Sequence, residues 1–119
     1  MELTEKYVLL ITNTDNRISL SAVSKLWNEL ANAEYQKSNV FLTALIDTPS
    51  AVYAPSIQCA QSHPDCIRIT CTRVPSTCGS QSLYLSSLRY IFTELKKHYS
   101  DTYIVMESYK VDLSFFPPN

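Results

Sequence analysis

The sequence predicts an α+β or α/β domain in which two β-α-β units form one four-stranded mixed sheet with two helices on one face. Three observations predict it. Residues 39–48, NVFLTALIDT, are an apolar run too short for a well-formed helix and rich in strand-favouring residues. In an extended chain Val40, Leu42, Ala44 and Ile46 point one way and Phe41, Thr43 and Leu45 the other, so both sides are largely apolar. Such a strand belongs to a sheet covered on both faces. Second, strand and helix patterns alternate as β-α-β, a connection, then β-α-β, in halves of similar length. Third, two helices in a chain of 119 residues cover one sheet face only, which leaves the other to be buried by further copies.

The first strand is read over residues 7–14, YVLLITNT, and ends in the turn chemistry of Asn13, Thr14, Asp15 and Asn16. Ser19 or Ser21 caps a helix with Leu20, Val23, Leu26, Trp27, Leu30 and Ala31 on one stripe, and with Lys25, Asn28 and Asn32 outside it. That helix fades near Tyr35, and the run at 39–48 follows as a parallel neighbour of the first strand. Residues 49–65 carry three of the six prolines and read as a surface connection, with a short strand possible at 51–53. In CIRITCTRV, 66–74, Ile67, Ile69 and Cys71 alternate with Arg68, Thr70 and Thr72, giving a strand with one wet or ligand-facing side. Gly79, the only glycine, precedes a second helix over 82–99 whose stripe is Leu85, Leu88, Phe92 and Leu95. Lys96, Lys97 and His98 fall in its last turn, where positive charge suits the helix dipole. Residues 102–111 close the sheet, and SFFPPN is a proline-stopped tail.

One domain over 1–119 is expected: an extension at 1–6, a first unit at 7–48, a connection at 49–65, a second unit at 66–111 and a tail at 112–119. Ten basic and eleven acidic residues give a formal charge of −1 with no basic cluster, which argues against nucleic acid or an anionic membrane as partner. No apolar run approaches the ~20 residues of a membrane span, and MELTEK lacks a signal-peptide pattern. A cytoplasmic protein is expected, or one secreted by a route that needs no signal peptide. The cysteines at 59, 66, 71 and 78 contain no C-x-x-C, and His63 and His98 are not at zinc-ligand spacing from cysteine pairs. Free thiols are expected, with no metal and no cofactor.

The chain resembles the macrophage migration inhibitory factor family of the tautomerase superfamily. Ile11-Thr12-Asn13-Thr14-Asp15 looks like the family's first strand and its Asn-Thr-Asn end, and residues 22–56 lie on the family pattern without a gap. Tyr53-Ala54-Pro55-Ser56 falls where the family has Phe-Gly-Gly-Ser, and a second gap-free stretch runs from 63 to 116. The resemblance implies a homotrimer in which each open sheet face is buried. It also implies a pocket for a small aromatic keto acid around an N-terminal proline, whose lowered pKa makes it a free base. The proline position falls near Val8, after MELTEKY, and a backbone amide there cannot act as that base. Tyr103 matches the pocket tyrosine, the carboxylate-binding lysine falls at Gln36 with Lys37 beside it, and the pocket asparagine falls at Val105. The family's Gly-Trp-Asn falls at Phe115-Phe116-Pro117, so Phe116 joins Thr72 among the candidate pocket residues.

Plainer roles compete at each position. Tyr103 and Trp27 suit a core or interface, Lys37, Arg68 and Arg73 suit solvent, and the histidines have no visible partner. Three functions follow. The first is a cytokine-like or regulatory pseudoenzyme acting through contacts with a protein receptor or partner. The second is an active phenylpyruvate or dopachrome tautomerase, an isomerase using another base. The third is a ferredoxin-like module binding a small ligand or a protein.

Overall fold

The computed structural model describes residues 3–13, 18–48 and 65–113. Six elements follow in the order β1 (Leu3–Asn13), α1 (Leu20–Ser38), β2 (Leu45–Asp47), β3 (Asp65–Thr72), α2 (Gln81–His98) and β4 (Ile104–Asp112). The sheet runs β2-β3-β1-β4 and every neighbouring pair is antiparallel. This is an α+β fold of the ferredoxin-like kind, with four strands and two helices as the sequence predicts. The mixed sheet and the parallel neighbours are corrected. β3 inserts between β1 and β2, and β1 separates β3 from β4, so each β-α-β unit is split.

Matching of apolar residues explains the insertion. The β1–β3 register sets Tyr7 opposite Cys71, Leu9 opposite Ile69 and Ile11 opposite Ile67, and all six are buried. β1, the longest strand at 11 residues, therefore takes two partners, while the three-residue β2 has few ladder bonds to offer and sits at an edge. β1 begins at Leu3, so residues 3–6, read from the sequence as extension, are strand.

Residues 39–44 form no strand ladder, although the alternation of the run survives: Val40 and Leu42 are buried while Phe41 and Leu45 are exposed. The Trp27 indole N–H donates to the Leu42 carbonyl at 3.2 Å, taking an acceptor that a neighbouring strand would use. Ser19 caps α1 by accepting from the Ala22 amide at 3.0 Å, and Ser80 caps α2 by accepting from Leu83 at 3.2 Å. α1 runs past Tyr35 to Ser38 because Asn39 adopts φ 62° and its amide donates to the Tyr35 carbonyl at 2.9 Å.

The helices pack Val23, Trp27, Tyr84, Leu88, Ile91 and Leu95 onto Leu9, Ile11, Ile67 and Ile69. The opposite sheet face carries Lys6, Val8 and Leu10 from β1, Arg68, Thr70 and Thr72 from β3, and Val105, Glu107 and Tyr109 from β4. The strand proposed at 51–53, nearly all of the connection, Cys59, His63 and residues 114–119 lie outside the described residues.

Candidate functional site

A cavity of 410 Å³ opens between α1 and the segment leading into β2. Ser24, Trp27, Asn28, Ala31 and Asn32 form the helix wall, at the steps of three and four that place residues on one helical face. Phe41, Leu42, Thr43, Ala44 and Ile46 form the other wall. The Trp27–Leu42 hydrogen bond ties the two walls together. The volume falls within the roughly 300–1,000 Å³ of small-molecule sites, but the lining is more polar than apolar, and only Trp27 and Leu42 of its walls are buried. No lining side chain carries a charge, so this cavity supplies hydrogen-bonding and apolar contact but no acid or base. A second depression of 250 Å³, on the open sheet face, is lined by Thr43, Ala44, Leu45, Thr70, Thr72 and Val74.

The ionisable groups are largely engaged with one another. Arg73 forks onto Glu5, Nε to Oε1 at 2.6 Å and Nη2 to Oε2 at 3.1 Å, and Nη1 donates to the Cys78 carbonyl at 3.1 Å. Arg73 is thus buried and paired, which corrects its reading as a solvated charge. Its hydrogen bond holds the Glu5 carboxyl below the usual range, against the opposing effect of desolvation. Arg68 forks onto Asp47 in the same way, at 3.0 and 2.5 Å, but in a half-exposed setting on the open face. Glu34, buried between the helices, accepts from Ser87 at 2.7 Å.

Cys71 lies in the core beside Tyr84, where burial pushes its thiol up to about 12. Such a thiol stays protonated and inert at neutral pH. Tyr84 stacks on Tyr7 at 5.7 Å between centroids, and the Tyr84 hydroxyl lies against the weakly bonding Cys71 thiol. Among the described residues no group of His, Cys, Asp or Glu is placed to hold a metal ion, and no helix is long and apolar enough to cross a membrane.

The pocket residues read from the sequence do not converge. Thr72 lines the small depression near the Lys6 end of the sheet, whereas Tyr103 lies at the Thr12 end, its carbonyl accepting from the Thr12 amide at 3.0 Å. Six residues of strand separate those ends, ~20 Å at the usual rise. Val8 and Val105 are on the open face between them. Gln36 and Lys37 belong to the helix layer, where the Lys37 ammonium sits 4.2 Å from the centre of the Tyr90 ring. Phe116 is outside the described residues. Asn28 and Asn32, which do line the larger cavity, were legible only as polar residues off the apolar stripe; their i, i+4 spacing was the available signal.

A family model described as SAM lyase matches residues 2–117. The chain belongs to the SAM lyase family. SAM lyase membership overturns the kinship with macrophage migration inhibitory factor, and with it the cytokine-like pseudoenzyme and the expectation of a non-enzyme. That kinship rested on element order, length and short matches, and the element order is equally that of a ferredoxin-like fold. The strand order separates the two, because β1 and β2 are not neighbours here. The missing N-terminal proline is therefore not a lost catalytic group.

The de novo designed protein Foldit4 superposes with a TM-score of 0.53 at 8% identity, covering 91% of this chain and 97% of that one, a likeness of fold alone. A putative PII-like signaling protein from Thermus thermophilus aligns with a TM-score of 0.39 at 13% identity, over 93% and 91% of the two chains. No curated protein matches the sequence.

Proposed function

We propose that this protein is an enzyme that cleaves a carbon–sulfur bond of S-adenosylmethionine. The observation that carries the reading is the family match over residues 2–117. A lyase breaks such a bond without hydrolysis or oxidation. The sulfonium takes the bonding pair and leaves as a neutral thioether. The carbon left behind either loses a neighbouring proton to a base, giving an alkene, or is captured by the substrate's own carboxylate, giving a ring. Atoms and electrons balance in both, and neither needs a redox partner.

Ring closure combines the sulfonium and the carboxylate into an uncharged thioether and ester, and elimination likewise cancels two charges where the base is a carboxylate. A site that strips water from the substrate favours them, since charges are costlier than neutral products in apolar surroundings. Purified protein incubated with S-adenosylmethionine should deplete it and release a thioether, whose mass identifies the bond broken. Depletion no faster than the uncatalysed control overturns the reading.

Independently of the cleavage, we propose that copies of the chain cover the open sheet face in a homotrimer. Exposed Leu45, Val105 and Tyr109 on that face support it.

A further inference from the structure

We infer that the two edges of the sheet join between copies: β4 of one copy pairs antiparallel with β2 of the next, in a register that sets Val105 opposite Leu45. The inference rests on the homotrimer reading and says how the copies meet. Every neighbouring pair in the sheet is antiparallel, so the edge strands β2 and β4 run in opposite directions. Copies related by rotation about an axis along the strands therefore bring a β4 beside a β2 with the antiparallel sense continued. A head-to-tail contact of this kind makes a ring when the rotation closes. Three copies then share one unbroken sheet, with the helices outside and the open faces turned to a common interior.

The side chains favour this pairing. A strand edge that stays in water is commonly blunted by lysine or proline. Residues 103–106, Tyr-Ile-Val-Met, and 43–46, Thr-Ala-Leu-Ile, have neither charge nor proline. Tyr103 and Leu45, 81% and 77% exposed, are the two most exposed large apolar side chains among the described residues, and they belong to opposite edges. Residues opposite each other in an antiparallel pair share a face of the sheet. Leu45, opposite Thr70, and Val105, opposite Leu10, are both on the open face. With Leu45 set against Val105, Ile46 meets Ile104 on the helix side and Asp47 meets Tyr103. Sliding the strands by two residues one way sets Leu45 against Glu107, a carboxylate on an apolar neighbour. Sliding them the other way sets Asp47 against Asp101, two like charges.

Disulfide trapping on the full chain tests the register. Within one copy β3 and β1 separate β2 from β4, ~14 Å at the usual strand spacing, so a bond between these edges can form only between copies. The background carries Cys59→Ser, Cys66→Ser and Cys78→Ser. On oxidation with oxidised glutathione, Leu45→Cys combined with Val105→Cys should give linked dimers and trimers in non-reducing electrophoresis. Leu45→Cys combined with Glu107→Cys, two residues out of register and ~7–8 Å apart, should link about tenfold more slowly. Leu45→Cys or Val105→Cys alone should stay unlinked, because a head-to-tail contact does not bring a residue beside its own copy. Thr43→Cys combined with Glu107→Cys keeps the proposed register and reads the same contact if the first pair loses the parent's circular dichroism.

A parent that is a trimer in light scattering, with in-register pairs that do not link or link no faster than the offset pair, overturns the edge pairing and leaves the homotrimer standing. Linking by either single change overturns it too, since that reports a two-fold contact. A parent that scatters as one chain overturns both.

Discussion

Arg73 and Glu5 meet at one end of the sheet with side chains only 9% and 8% exposed, so neither has ready access to water. Removing one partner strands the other, which costs ~3–5 kcal/mol for a buried pair. Arg73→Met should therefore lower stability by about that amount at neutral pH. The pH dependence has a definite sign. The folded carboxyl sits below its unfolded value, so the pair's contribution is present above roughly pH 4–5 and is lost as pH falls through the lowered folded value. In Arg73→Met the lone buried carboxyl has a raised pKa and protonates readily, which relieves the penalty in acid. Urea unfolding at pH 7 and pH 4 should show the gap between parent and variant narrowing at the lower pH; an equal gap means the pair is not the cause. Arg68 and Asp47 share the forked geometry but are 41% and 49% exposed. Arg68→Gln should cost only ~0–1 kcal/mol in the same measurement, because solvent screens the pair. Tyr84 is the opposite case, a buried hydroxyl with only the weakly bonding Cys71 thiol beside it. Tyr84→Phe should be neutral or stabilise by up to about 1 kcal/mol, where losing a made bond would destabilise.

Among the elements, both helices were legible in the sequence because apolar periodicity is a local signal, although Leu20 is exposed and the buried line of α2 is Tyr84, Leu88, Ile91 and Leu95, with Leu85 and Phe92 only partly buried. Ser19 caps α1 as one of the two serines expected to. The last turn of α1 was not legible, since it depends on Asn39 entering the left-handed region, and few residues other than glycine and asparagine do so cheaply. Asn39→Gly should leave stability within a few tenths of a kcal/mol, and Asn39→Val should cost ~1–2 kcal/mol, read as midpoints of thermal unfolding. The run at 39–48 misled for a tertiary reason. Its alternation was correct, but Trp27 claims the Leu42 carbonyl and only Leu45–Asp47 pairs as strand. Strand order was out of reach for a related reason. A β-α-β pattern fits parallel neighbours and a split pair equally, and only the side-chain match between β1 and β3 decides. The cavity wall was missed because Asn28 and Asn32 carry no mark that separates a ligand wall from a wet helix surface.

For the molecule as a whole, the order of elements is shared by families whose chemistry differs, so the family match and not the topology carries the function. The open sheet face is a question of the same scale. It mixes charged Lys6, Glu107 and Arg68 with apolar Val8, Leu10, Val105 and Leu45. Leu45 is 77% and Val105 51% exposed, on strands at opposite edges of the sheet. If copies cover this face, a carboxylate placed at either position would lose its water on assembly, a cost of several kcal/mol without a partner. Leu45→Asp and Val105→Asp should then shift the mass in light scattering from three times the 13.5 kDa of one chain down to one. Leu83→Asp, at an exposed site on the helix layer, should leave the mass unchanged. A parent protein that scatters as a single chain rules out the homotrimer. A trimer broken equally by all three changes points to general loss of folding and away from this face, a result that circular dichroism on the same samples would confirm.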